Sequence, residues 1–311
     1  MPAATTHHPT PHLATGLLLA SIGAIGFSGK AIIVKLAYQY GVDAVTLIMY
    51  RMLFALPLFL ALGWWASHRP GGEKPSPLTR RDWLGVFGLG FTGYYLASFL
   101  DFWGLQYISA SLERLILYLN PTLVLALGWV LYRRRITGMQ ALAMVVSYAG
   151  VLLVFGHEVG AQGPNAALGA LLVFGSAVSY AIYLVYSGEL VKRLGSLRLV
   201  GLASTVACVL CLLQFVLLRP LSAAAVAPEV IWLSVLNATL CTFAPVLFVM
   251  MGVERIGAGL AAQTGMIGPM STIIMGVLIL DESFNRWIVA GTVLVLGGVF
   301  LVTRFGAASR Q

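Results

Sequence analysis

Six ionisable side chains stand inside otherwise apolar runs: Lys30, Lys35, Arg51, Asp101, Glu113 and Arg114. A charge withdrawn from water is costly unless it is partnered, so ionisable groups in long apolar segments are candidates for function. Four positive and two negative groups at similar depth predict an ion-paired network. At 1.5 Å rise per helical residue, Arg51 lies about 12 Å into its run and Asp101 about 8 Å from the end of its own. Lys30, Arg51, Asp101, Glu113 and Arg114 together make a candidate gate or substrate vestibule. For Lys35 and Arg114 a second reading stays open, in which the long side chains snorkel to an interface. Asp101 or Glu113 could carry a coupling proton; uncoupled, facilitated movement of a solute fits the same residues.

A second set is aromatic and polar. Tyr94, Tyr95, Tyr118, Asn120, Tyr180 and Tyr183 fall well inside apolar runs, as does Gln263. A tyrosine offers an apolar ring and a hydroxyl together, which suits an amphipathic solute carrying a carboxylate or an amine. These seven are the candidate substrate-binding residues, with lipid-facing or packing roles open for some of the tyrosines. Pro121 and Pro269 interrupt helical hydrogen bonding wherever they stand inside a helix. They are candidate hinges, or static bends that serve packing.

The elements that hold these groups follow from composition. Apolar residues make up 59% of the 311 positions and charged residues 10%, against about 25% charged in an ordinary soluble domain. Such a chain cannot clothe itself in polar surface, so its apolar surface must face lipid. A bilayer core takes roughly 20 apolar residues per helix, and only helices satisfy their own backbone there. The apolar runs predict an all-α polytopic membrane protein with ten transmembrane helices: 13–38, 43–66, 83–106, 109–132, 138–156, 166–188, 198–218, 228–252, 257–280 and 286–303. The first run lacks preceding Lys or Arg and reads as a retained helix, not a signal peptide. Lys and Arg counted in alternate loops divide thirteen against two. That asymmetry predicts both termini in the cytoplasm.

The two halves match without a gap at an offset of 148 residues. Gly104, Ile108, Ala110, Leu112, Pro121, Gly128 and Gly150 meet Gly252, Ile256, Ala258, Leu260, Pro269, Gly276 and Gly298. Matched prolines and glycines at one offset are hard to obtain from chance alignment of apolar segments. The repeating unit holds five helices, an odd number, so the second copy must be inverted in the membrane. Arg133 to Arg135 end one copy where Asp281 and Glu282 end the other, in keeping with inversion. The expected organisation is a tail 1–12, a first five-helix repeat 13–156, a second 166–303 and a tail 304–311, both tails cytoplasmic.

The duplicated unit, the segment around Pro121 and Pro269 with its following polar turn, the closing GGVFLV and the YRMLFALPLFL of the second helix resemble the drug/metabolite transporter superfamily, specifically its ten-helix EamA-type members. The resemblance covers nearly the whole chain. Within that superfamily, Tyr118-Leu119-Asn120-Pro121 and the aromatic helix carrying Tyr180 and Tyr183 look most like bacterial exporters of amino acids, aromatic ones included. The resemblance implies a central cavity lined by both repeats, and export across the inner membrane of a bacterium by alternating access.

Other classes fare worse. The net charge of +8 sits in short clusters between apolar runs and not on the continuous basic surface that nucleic acid needs. Cys208, Cys211 and Cys241 lie within apolar runs, where a thiol acts as a small hydrophobe, and predict neither metal site nor disulfide. The five histidines lie in termini or loops. No phosphate-binding G-x-x-x-x-G-K-[ST] motif occurs, so no nucleotide or other cofactor is expected. A membrane enzyme would need a catalytic constellation at a membrane face, which these short loops do not offer. A channel would predict rings of like polar residues in an oligomer. Drug, cation or nucleoside efflux by the same fold is the nearer alternative. The expected partners are a small-molecule substrate and the lipid bilayer.

Overall fold

The computed structural model describes residues 11–68, 77–133, 136–160, 162–265 and 267–306. Arg69, Lys74, Arg134, Arg135 and Arg310, counted above for charge asymmetry, lie outside these residues, as do the side chains of Gln263 and Arg304. The described chain is helical throughout, in the order α1 (Pro11–Tyr38), α2 (Ala44–Ser67), α3 (Arg80–Gly104), α4 (Ala110–Tyr132), α5 (Gly138–Glu158), α6 (Ala166–Leu194) and α7 (Ser196–Leu218). Next come α8, α9 (Ile267–Leu280) and α10 (Arg286–Gly306). Helix α8 comprises Pro228–Ala238, a π-helical turn Thr239–Phe243, and Ala244–Thr264. Its backbone runs on through the boundary expected between residues 252 and 257, because Val253-Glu254-Arg255-Ile256 holds no helix breaker. The interruption falls instead between Thr264 and Ile267, beside Gly265 and Gly268. Among the described residues, eight helices are long and apolar enough to cross a membrane, and α9 and α10 are shorter apolar helices. Leu84, Leu171, Leu217, Trp232 and Leu278 stand exposed on the outside of this bundle. The protein is therefore a multi-pass membrane protein.

Helices pack in pairs drawn from opposite halves of the sequence. Helix α1 lies along α8 and α9, α2 along α7, α3 and α4 along α6, and α5 along α10. Small residues bring backbones together where side chains would hold them apart. At the α2–α7 crossing a Cβ placed on Gly201 would stand 2.7 Å from the backbone of Gly63. At the α5–α10 crossing a Cβ on Gly150 would stand 2.7 Å from the carbonyl oxygen of Gly291. One core cluster joins Leu47, Ile48, Phe59 and Phe102 to Val200, Cys208 and Val230, and a second joins Leu112, Leu115 and Val154 to Val173, Ile288 and Val295.

Local irregularities recur at the 148-residue spacing. Helix α3 carries a π-helical turn at Gly90–Leu96, and α8 carries one at Thr239–Phe243. Helix α4 is interrupted after Leu117 and resumes at Asn120, one residue before Pro121. The chain breaks again after Thr264 and resumes at Ile267, two residues before Pro269. Both prolines thus sit in the first turn of a resumed helix, where the missing N–H is no loss, and not within a continuous one. Among the described residues, Arg133 and Asp281 are the non-glycine residues with left-handed backbone, at φ 52° and 53°. The Arg133 N–H reaches back to Gly128 O and the Glu282 N–H to Gly276 O.

At the end of the bundle carrying Asp43, that carboxylate caps α2 by accepting from Val45 N at 2.9 Å and Thr46 Oγ1 at 2.6 Å, and it meets Arg219 Nη2 at 3.0 Å. Partial burial pushes the Asp43 carboxyl up, but the bonds from Thr46, the Arg219 guanidinium and the Val45 bond outweigh it and hold the group below its usual range. Its stabilisation is therefore complete above about pH 4, the unfolded value, and fades as pH falls through the lowered one. Melting of the detergent-solubilised protein across this acid range should lose part of its pH slope in Asp43→Asn. Gly201→Val should lower stability by about 1–3 kcal/mol through overpacking at the α2–α7 crossing. Gly188→Ala, where a Cβ meets nothing within 4 Å, should leave it unchanged or raise it by up to about 1 kcal/mol.

Candidate functional site

The ionisable residues of the first half converge. Lys30 on α1 pairs with Asp101 on α3, and its Nζ stands 3.1 Å from Glu113 Oε1 on α4. Asp101 and Glu113 are buried, Glu113 completely. One ammonium thus bridges two carboxylates from two helices, an arrangement that compensates charge in a low-dielectric interior only while all three stay in place. Lys35 lies one to two turns along α1 and stands apart from this triad. Its Nζ donates to Leu105 O at 3.3 Å and Ile108 O at 3.0 Å, and so ties α1 to the end of α3 and the loop that follows.

The two arginines reach into the second half. Arg51 Nε donates to Thr242 Oγ1 at 3.0 Å, and its guanidinium lies 5.1 Å from the Phe102 ring centre. Thr242 Oγ1 in turn donates to Asn237 O at 2.8 Å, across the π-helical turn of α8. Arg114 Nε donates to Thr272 Oγ1 on α9 at 2.9 Å.

Beside Arg114 the two helix interruptions meet. The Tyr118 hydroxyl donates to Gly265 O at the break after Thr264, an oxygen that also accepts from Gly268 N at 3.0 Å. Ser28 Oγ on α1 donates to Gly268 O at 2.8 Å, and Thr272 Oγ1 donates to the same oxygen at 3.2 Å. Asn120 Nδ2 turns back to Leu117 O at 2.7 Å, leaving its Oδ1 buried without a partner. Unpartnered polar side-chain atoms at a pair of broken helices are what a solute in the membrane interior can bind.

The tyrosines divide into separate places. Tyr94, Tyr180 and Tyr183 pack together between α3 and α6, with the Tyr94 and Tyr183 hydroxyls 3.2 Å apart and the Tyr180 and Tyr183 rings stacked at 5.4 Å. Val86, Leu89, Leu194 and Leu199 surround them. Tyr95 lies beside Phe91, the rings tilted with their centres 5.4 Å apart. Tyr118 and Asn120 belong to the helix interruptions instead. Pro121 and Pro269 follow those interruptions directly.

A cleft of about 480 Å³ opens at the Asp43 end, lined by Lys35, Tyr38, Gln106, Tyr107, Gln162 and Glu282 among others. Glu282 closes its floor. The carboxylate accepts from Ala110 N at 2.6 Å, Ser111 N at 3.2 Å and Ser111 Oγ at 2.6 Å. A carboxylate on free N–H groups at a helix start is favourable through both hydrogen bonding and the helix dipole. Glu158 and Gln162 hold the preceding Ser109, whose Oγ donates to Glu158 Oε2 at 2.9 Å. The start of α4 is thus tied to the end of α5 and to the turn after α9.

Ser28, Asn237, Thr242, Thr272 and Glu282 take part in these contacts without having been singled out from sequence. Serine and threonine within a helix ordinarily satisfy themselves on the preceding turn, so they give no signal. Asn237, a buried amide in an apolar run, does give one.

Replacing Lys30 should be severely destabilising, because it leaves Asp101 and Glu113 buried without their cation. Lys30→Met should cost about 3–5 kcal/mol, read as a lowered melting temperature in detergent. Adding Asp101→Asn and Glu113→Gln should restore most of that loss. Equal melting of Lys30→Met and the unmodified protein would show that the triad is not a unit.

Comparison with known proteins places this geometry. The model of the EamA-like transporter family matches twice, at residues 14–156 and 167–304. The transporter YcbK of Bacillus subtilis, itself uncharacterised, is 33% identical over 301 residues, 93% of this chain and 91% of the relative. An uncharacterised transporter of Archaeoglobus fulgidus is 22% identical over 294 residues, 92% of this chain and 96% of its own. A crystal structure superposes with a TM-score of 0.64 at 17% identity, covering 96% of this chain and 99% of that one, and so shares the fold. Two successive copies of one family unit, spanning nearly all of a multi-pass helical chain, establish that this protein belongs to the EamA-like transporter family.

Proposed function

We propose that the protein exports amino acids or closely related small metabolites across a bacterial inner membrane by alternating access. The observation that carries this reading is the meeting of the two interrupted helices, Tyr118 on Gly265, beside buried charged groups with hydrogen-bonding atoms left unpartnered. In this reading α9 and α10 also cross, giving ten spans as two five-helix repeats, 13–156 and 166–303, inverted relative to each other. The matched π-turns, helix breaks and left-handed turns at one spacing support that duplication. The Lys and Arg asymmetry supports cytoplasmic tails at 1–12 and 304–311, which puts the Asp43 end and its cleft on the periplasmic side.

The solute then sits among Tyr118, Asn120 and Gln263, with Tyr94, Tyr95, Tyr180 and Tyr183 on its way through the inner half. Pro121 and Pro269 let the half-helices swing. Lys30, Asp101, Glu113, Arg51 and Arg114 form the gate above the solute, and Glu282 latches α4 from outside. In a proton-coupled cycle the proton would join Asp101 or Glu113, which share one lysine, only transiently, on a resting cluster in which both carboxylates are ionised.

The experiment is counterflow in proteoliposomes, with labelled amino acids, a nucleoside and a lipophilic cation as the panel. Saturable amino acid exchange is expected. It should fall at least about tenfold in Tyr118→Ala, a loss of the order of one hydrogen bond, with folding checked by size-exclusion profile. Movement of the cation alone would assign the protein to drug efflux. A folded protein that exchanges nothing, with or without a pH gradient, would sink the transporter reading for this panel and for this site.

A further inference from the structure

The cluster between the two halves is not electrically balanced. Lys30, Arg51 and Arg114 bring three positive charges, while Asp101 and Glu113 bring two negative ones, and all five sit among buried groups. Lys30 engages both carboxylates, so neither is left to pair with a guanidinium at hydrogen-bond distance among the described residues. At hydrogen-bond distance Arg51 meets a neutral hydroxyl, Thr242 Oγ1, and it faces an aromatic ring, Phe102; Asp101 attracts it only from farther away, and its Nη1 is buried without a hydrogen-bond partner, as are Asp101 Oδ1 and Glu113 Oε2. Arg114 meets the neutral hydroxyl of Thr272, and its Nη2 is likewise buried and unpartnered. A guanidinium does not give up its proton inside a protein. Its charge there is answered by an anion or remains a large cost.

Arg51 is the arginine built to receive one. It is 7% exposed and anchored through Nε, which fixes the guanidinium plane and leaves Nη1 for a ligand. The anchoring residue Thr242 is bonded to the carbonyl of Asn237, and the Asn237 side chain, 1% exposed, has both amide atoms unpartnered. A buried amide that satisfies neither its donor nor its acceptor is rare without a ligand or water to complete it. Thr242 accepts from Arg51 and donates to the backbone carbonyl of Asn237, which places residues with an unused guanidinium donor and an unused amide donor along one hydrogen-bonded chain, and two such donors suit the two oxygens of a carboxylate.

We infer that Arg51, with Asn237 and Thr242 on the π-turn of α8, binds the carboxylate of the transported solute, and that the preferred solute carries a net charge of −1. This rests on the transporter reading above and narrows it, from amino acids and related metabolites in general to carboxylic acids whose charge balances the cluster. A neutral zwitterion would leave the extra positive charge unanswered. A cation would add to it.

The test is thermal stabilisation of the purified full chain in detergent by matched probes. One set is butanoate, 2-aminobutanoate and butylamine; the other is 3-phenylpropanoate, phenylalanine and 2-phenylethylamine. Within each set the monoanion should bind at least about tenfold more tightly than the zwitterion, the difference one charge-assisted bond makes, and the amine should not bind. Arg51→Gln should abolish the preference. Arg51→Lys keeps the charge but loses the planar fork, and should weaken the monoanion about tenfold. Asn237→Leu leaves every charge in place and serves if Arg51→Gln does not fold; it too should weaken the acid selectively. Zwitterions or amines binding as tightly as the acids would overturn the inference. So would acid binding that survives Arg51→Gln, or no stabilisation by any probe. Counterflow separates this from the parent reading. With the labelled acids added to the counterflow panel, amino acid exchange without acid binding would sink the inference alone, whereas acid binding without exchange of the acids or of any other probe would sink the transporter reading alone.

Discussion

A charge inside a membrane protein has to be answered by another group within a few ångströms, and the bundle is arranged around that requirement. Lys30 cannot reach both Asp101 and Glu113 unless α1, α3 and α4 hold one fixed spacing. Those three helices therefore cannot slide independently without exposing a carboxylate to a medium that solvates it poorly. Arg51 and Arg114 extend the same constraint across the molecule, because their bonded partners Thr242 and Thr272 belong to α8 and α9. The ionic groups come from the first half of the chain and the neutral groups that receive them from the second.

Backbone contact supplies the rest of the connection between halves. Paired helices α2 with α7 and α5 with α10 approach through glycine, at Gly63 with Gly201 and Gly150 with Gly291. Lipid offers no hydrophobic gain for bringing helices together, so van der Waals contact of close backbones has to do so. Such contacts are rigid and narrow. They leave the polar interruptions of α4 and of the α8–α9 segment as the places where the interior can rearrange at small cost. At Leu119 and Gly268 the backbone N–H groups already bond three residues back, to Ile116 O and Gly265 O, so the regular α-helical pattern is interrupted there.

Much of this was legible in the sequence because the bilayer imposes simple rules. Runs of about 20 apolar residues located nearly every helix to within a few positions, and the glycine and proline matches at 148 residues anticipated the paired breaks and turns. The ion triad was legible for the same reason: charges are scarce enough in such a chain that each one stands out. The receiving groups did not stand out. Thr242 and Thr272 are ordinary residues for an apolar helix, and only the fold brings them to Arg51 and Arg114. Glu282 was visible as a charge ending α9, yet its role as cap on Ala110 and Ser111 depends on a turn set by the left-handed Asp281. The tyrosines illustrate the opposite limit. Five at similar depth look alike in sequence, and three-dimensional packing alone separates the Tyr94–Tyr180–Tyr183 knot from Tyr118.

The irregular backbone and the polar side chains are one phenomenon. A backbone group freed at a break or π-turn cannot be satisfied by lipid, and at these places carbonyls take hydroxyl partners: Gly265 O meets Tyr118, Gly268 O meets Ser28 and Thr272, Asn237 O meets Thr242. These hydroxyls are shared partners, able to donate to a carbonyl while accepting from an arginine, as Thr242 does. A solute that supplied an anion to Arg51 would compete for the same hydroxyl and so alter how firmly the π-turn of α8 is held. Binding and helix geometry are in this way linked through a few bonds, with no need for a longer path between site and scaffold.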